Sequence, residues 1–112
     1  MSSEGSDVKT LQQLEDELEV AFRGGEVGET ALLAWELKAR FPSESGVASI
    51  YIKKLLRDPY VAGISLEDFK KNAKSLRDEE EPEELARLSA MGLLRFPAER
   101  YLSLSLLEAA QK

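Results

Sequence analysis

Apolar residues in this sequence return every three or four positions and almost never every two, and that spacing restricts what the chain can fold into. Val8, Leu11, Leu14, Leu18 and Phe22 fall on one face of an α-helix, with Glu15, Asp16, Glu17 and Glu19 on the other side and Gly24-Gly25 as a stop. A second helix is expected from about Glu29 to Phe41, ended by Pro42, which cannot continue it. Ser43 or Ser45 can cap a third, carrying Val47, Tyr51 and Leu55 and closing at Asp58-Pro59. The fourth has the clearest start. Ser65 is its N-cap, Asp68 stands where a capping box has Glu, and Ile64 and Phe69 fit a hydrophobic staple. Leu66, Phe69, Ala73 and Leu76 continue its apolar face. Pro82 suits the first turn of a fifth helix, with Glu83 and Glu84 favourable to its dipole, and a sixth follows Pro97. The expected class is all-α, with about six short antiparallel helices and short connections.

At 112 residues the chain has room for one hydrophobic core. Residues 1–6 are small and polar and are expected to be a disordered tail; residues 7–112 are expected to form a single domain. Within it, Arg-Phe-Pro-x-Glu occurs twice, at residues 40–44 and 95–99. Sliding the sequence by 55 without gaps lays Leu11, Leu14, Leu18 and Ala21 on Leu66, Phe69, Ala73 and Leu76. It lays Val47, Tyr51 and Ile52 on Leu102, Leu106 and Leu107. Two three-helix units, residues 8–57 and 63–112, are the expectation from this self-similarity. The repeated motif has a physical reading of its own. Phe is the last helical residue, restricted by the proline after it, and its ring folds back on the core while Pro starts the next helix. Arg in the last turn and Glu in the next first turn suit the two helix dipoles. No ligand is needed to explain the motif.

The stretch "FRGGEVGETALLAWELKARFP" resembles the end of a tetratricopeptide repeat, with Gly25 at the inter-helix turn and Pro42 at the final proline. The resemblance covers about residues 18–56 and, more faintly, 84–110. Leu18, Thr30 and the spacing of 55 depart from the family pattern. What the resemblance implies is a right-handed stack of helix pairs whose concave face binds peptide segments of other proteins. The family's carboxylate clamp has no counterpart, since Asn72 is the only asparagine.

Chemistry is restricted by what is missing. There is no His and no Cys, so the common general base, thiol nucleophile and soft metal ligands are unavailable. No phosphate-binding glycine loop or nucleophile elbow is present, and the acidic run from Asp78 to Glu84 reads as a solvated inter-helix turn. No catalytic residue, metal site or cofactor is expected. The longest apolar run, Ala31 to Trp35, is five residues, against the ~20 that span a bilayer. No signal peptide is evident at "MSSEGSD", so a cytoplasmic location with no membrane is the expectation.

Charge carries the functional signal. Residues 1–52 hold ten carboxylates against four cations, residues 53–77 three against seven, and residues 78–112 eight against four. The central cations include Lys53, Lys54, Arg57, Lys70, Lys74 and Arg77, the last three spaced as one helical stripe. They are the candidate docking patch for an acidic segment of a protein partner. Direct nucleic-acid binding is disfavoured by a pI near 4.8 and by the lack of aromatics among the basic residues. Trp35, in a helix apolar nearly all round, is a candidate apolar interface, and a homo-oligomer is compatible with it. The functional expectation is a non-catalytic protein-interaction domain, an adaptor or a small subunit of a larger assembly. The alternative is an acidic regulator that caps a basic site on a nucleic-acid-binding protein.

Overall fold

The computed structural model describes residues 9–44 and 46–111, and every regular element among them is helical. The helices are α1 (Leu11–Arg23), α2 (Val27–Arg40), α3 (Gly46–Leu56), α4 (Pro59–Ala62), α5 (Leu66–Asp78), α6 (Pro82–Arg95) and α7 (Arg100–Ala110). A single 3₁₀ turn, Pro42–Glu44, precedes α3. The expected tail, residues 1–6, and Val8 lie outside the described residues.

Among the described residues the count of seven corrects the expected six. Asp58-Pro59 does end the chain's run beyond α3, but it also begins something. Asp58 accepts from the Tyr60 N–H at 2.9 Å and Pro59 sits at the first helical position, so one short turn, α4, forms where only a stop was expected. Pro42 and Pro97 likewise do not open the next α-helix directly; α3 and α7 begin three or four residues later.

Local chemistry explains the other boundaries. Thr10 and Gln13 form a reciprocal capping box at the start of α1. At α5, Ser65 Oγ accepts from the Asp68 N–H at 3.1 Å. The turns after α1 and α5 share one geometry. Gly25 (φ +74°) and Glu80 (φ +56°) are both left-handed, and Glu26 and Glu81 each donate back to the carbonyls of Ala21 and Leu76 at 3.0 Å. α1 and α5 begin and end 55 residues apart, as do α2 and α6.

The third helices break that register. In α3 Ala48 and Leu55 are buried while Ile50 and Lys53 are exposed; in α7 Leu102 and Ala109 are buried while Leu104 and Leu107 are exposed. These positions correspond at 54, not 55, because the connection from Phe96 to Arg100 is one residue shorter than that from Phe41 to Gly46. The gapless pairing of Val47, Tyr51 and Ile52 with Leu102, Leu106 and Leu107 is therefore displaced by one residue.

The core has two parts joined by α2. Leu14, Leu18 and Ala21 of α1 pack with Leu33, Ala34 and Leu37 of α2 and Ala48 of α3. The larger part gathers Ala31 of α2, Leu55, Val61, Phe69 and Ala73 with the apolar faces of α6 and α7. α2 packs on α6 as well as on α1 and α3, which is why it is apolar on several sides. At both corners the arginine does more than face a dipole. Arg40 Nη2 donates to the Lys9 carbonyl at 2.6 Å, and Arg95 Nη1 donates to the Ile64 and Val61 carbonyls. Each guanidinium lies over the ring of the phenylalanine that follows it.

Candidate functional site

The six candidate cations separate into two groups. Those of α5 each have a carboxylate partner, and two of them reach toward α7. Arg77 is the most committed: Nε lies 3.0 Å from Glu108 Oε1, Nη1 donates to Tyr101 Oη at 3.0 Å, and Nη2 donates to Ser105 Oγ at 2.8 Å. The guanidinium also sits 5.0 Å above the Tyr101 ring. It is a strut between α5 and α7. Lys70 Nζ reaches Glu99 at 3.4 Å, and Lys74 pairs along its own helix with Asp78 at 3.0 Å. Of the stripe predicted on α5, Arg77 thus meets Tyr101, Ser105 and Glu108 of α7 and Lys70 meets its N-cap Glu99, while Lys74 stays exposed on its own helix.

The second group sits at the end of α3. Lys53, Lys54 and Arg57 are exposed. Lys54 Nζ lies over the rings of Phe22 and Tyr51, at 5.2 and 5.4 Å, and those rings meet edge to face with centroids 5.1 Å apart. Among the described residues, Lys53 and Arg57 have no carboxylate within ion-pair distance. Positions 50, 53, 54 and 57 share one face of a helix, so Ile50 stands among these cations. Ile50 is 55 % exposed, Tyr60 on α4 is 62 % exposed, and Leu56 is also exposed. The sequence reading found the cations but not these three apolar residues, although the spacing of Ile50 relative to Lys53 and Arg57 was visible. Lys54 and Arg57 also line a shallow cleft of about 280 Å³ with Phe22, Gly25, Val27 and Asp58. None of the α5 cations reaches that cleft.

Trp35 is half-buried against the larger part of the core, beside the packed faces of α6 and α7. A wider cleft of about 820 Å³ lies between the start of α2, α5 and α6, lined among others by Gly28, Glu29, Tyr60, Asn72, Ser75 and Arg87. Arg87 ties two of the cleft's carboxylates together. Arg87 Nε donates to Glu29 Oε1 at 3.0 Å and Nη1 to Glu84 Oε1 at 2.6 Å. The Glu29 hydrogen bond, above all, holds this guanidinium above its ordinary pKa. Gly28 leaves the room for that approach, since a Cβ there would stand 3.1 Å from Arg87 Cβ.

Among the described residues no group of acidic side chains converges in a way that could hold a metal ion, and no helix is long and apolar enough to cross a membrane. No family model, no curated protein and no solved structure matches this chain.

Proposed function

We propose that this chain is a non-catalytic protein-interaction domain, an adaptor or a small subunit of a larger assembly, that docks an acidic partner segment on the exposed face of α3. One observation carries the reading. Lys53 and Arg57 share that face with Ile50 and lack a carboxylate partner among the described residues, whereas Lys70, Lys74 and Arg77 each have one. A patch of unpaired cations around exposed Ile50, Leu56 and Tyr60 suits a segment that alternates carboxylates with aliphatic or aromatic side chains. The charges steer encounter and set register, and the apolar residues supply contact area. The rest of the molecule carries net negative charge, which repels a polyanion such as nucleic acid while leaving a short acidic peptide able to approach locally.

The test uses a fluorescent amphipathic peptide of alternating glutamate and leucine. Anisotropy should report binding that weakens as salt rises, because exposed charges are screened over about 8–10 Å near physiological ionic strength. Lys53→Glu with Arg57→Glu should abolish it, while Lys71→Glu, equally exposed on α5, should change it little. If the α3 pair leaves affinity unchanged, the α3 face is only a solvated surface. If reversing Glu79, Glu80 and Glu81 instead abolishes capture of a basic protein, the acidic-regulator reading takes its place.

The same proposal includes the architecture. Residues 8–57 and 63–112 are read as two three-helix units. What supports this is the shared boundaries of α1 with α5 and α2 with α6, the matching left-handed turns, and the paired arginine contacts at residues 9 and 64. α2 and α6 are the helices through which the units meet. A tetratricopeptide-like stack, with α3 against α5, is the other way such units could be arranged.

A further inference from the structure

We propose a second interaction surface: the exposed face of α7 pairs with the same face of a second copy of this chain, antiparallel and centred on Leu104. The proposal does not rest on the α3 reading. α7 packs its buried side on α6 and α5, and turns Leu104 and Leu107 outward, 56 % and 57 % exposed. Two leucines one turn apart on an outward helix face are an unpartnered apolar stripe.

Charge says what covers it. Arg100 and Glu108 lie four residues before and four after Leu104, on the same face and about 6 Å along the axis to either side. Arg100 is exposed and has no carboxylate partner among the described residues. Glu108 is held by Arg77 through Oε1, yet its side chain keeps 42 % of its surface exposed. A two-fold axis through Leu104 brings residue 100 of each copy opposite residue 108 of the other. Arg100 then faces Glu108 twice, around a centre of leucine on leucine. That is the self-complementarity an isologous interface requires.

The corresponding face of α3 makes a useful contrast. Ile50 occupies the place of Leu104, but its neighbours at four residues either way are Gly46 and Lys54, and Lys53 stands where Leu107 does. Paired in the same way, two such faces would set each Lys54 opposite Gly46 of the other copy, with no acid to meet it. Of the two equivalent faces, then, only that of α7 is complementary to itself.

Sedimentation velocity on the full chain, from micromolar to millimolar concentration, is the test. The native chain should move from monomer to dimer as concentration rises. Leu104→Glu should weaken association at least about tenfold, the equivalent of about 1.4 kcal/mol, with the far-ultraviolet circular dichroism unchanged. Arg100→Glu and Glu108→Lys should each weaken it alone, by placing like charges opposite. An equimolar mixture of those two variants should associate at least as well as the native chain, because both cross-pairs of a mixed dimer are then opposite in sign. If Glu108→Lys unfolds through loss of the Arg77 partner, Leu104→Glu and Arg100→Glu decide the matter by themselves. A native chain that stays monomeric at millimolar concentration overturns the proposal. So does a dimer indifferent to Leu104→Glu, or a mixture no tighter than its two components.

Discussion

Gly92, in the last turn of α6, sits where α5 and α7 both come close. A Cβ placed there would stand 2.5 Å from Leu102 Cδ1 of α7 and 3.2 Å from the Phe69 ring of α5. Carbon atoms rest about 3.5–4.0 Å apart, so Gly92→Ala forces Leu102 or Phe69, both fully buried, out of place. Overpacking a fitted core costs about 1–3 kcal/mol, while replacing a helical Gly by Ala returns about 1 kcal/mol of helix propensity. The net is a loss of up to about 2 kcal/mol, with about 1 as the central value. Urea unfolding followed by circular dichroism resolves such a change in midpoint. Gly46→Ala is the internal control: nothing lies within 4 Å of its Cβ, so it should be neutral or slightly stabilising. The cause can be isolated further. Leu102→Val withdraws the nearest colliding atom and leaves only the milder 3.2 Å approach to Phe69, so in that background Gly92→Ala should cost less. The two changes must therefore couple, against the simple additivity of distant sites. A Gly92→Ala protein as stable as the native one, or strict additivity with Leu102→Val, would refute the close approach of α6, α5 and α7.

Three further outcomes are expected. Glu80 holds a left-handed conformation that costs a residue with a side chain about 1–2 kcal/mol, so Glu80→Gly should stabilise the fold by about 1 kcal/mol, whereas Gly25→Ala at the matching turn should destabilise it by a similar amount in the same urea assay. Phe41 and Phe96 are half-buried rather than enclosed, so each Ala substitution should cost less than the roughly 3–5 kcal/mol of a fully buried ring. Phe96→Ala should be the worse of the two, because that ring also meets Phe69 edge to face at 6.3 Å. The hydrogen bond from Lys9 to Glu17, with Glu36 and Glu29 adding to it, holds the Lys9 ammonium above its ordinary pKa of 10.5. A raised value means this contribution is whole below 10.5 and is lost as pH climbs through the folded-state value, so native and Lys9→Met proteins should converge in stability at strongly alkaline pH.

Much of the fold was legible because it was written in spacing. Leu14 and Leu18, Phe69 and Ala73 announced the buried faces of α1 and α5, and Gly25, Pro42 and Pro82 announced where helices could not run through. What periodicity could not announce was α4, since four residues carry no period, nor the one-residue shortening before α7, which no gapless comparison can find. The basic stripe shows the same limit in another form. Spacing tells which side chains share a face, but not what lies opposite. Tyr101, Ser105 and Glu108 repeat at four and three residues, the same stagger as Lys70, Lys74 and Arg77. Tyr101, Ser105 and Glu108 are all met by Arg77 alone, so the stripe on α7 was the available sign that this one cation of α5 is held within the fold.

The repeated Arg-Phe-Pro has a fuller explanation than two favourable dipoles. A lysine would meet a helix C-terminus about as well as an arginine. The structure instead uses what only the guanidinium has: a flat face that lies on the following phenylalanine, and several N–H donors in one plane. Arg40 and Arg95 use those donors on the carbonyls of Lys9 and Ile64, each one residue ahead of the N-caps Thr10 and Ser65. The end of each second helix is thereby tied to the start of the first helix it packs against. Phe is the platform on which the arginine lies, and Pro ends the helix just beyond it, so that the arginine stands in the last turn. Three consecutive residues perform one task, and all three are needed together at each corner.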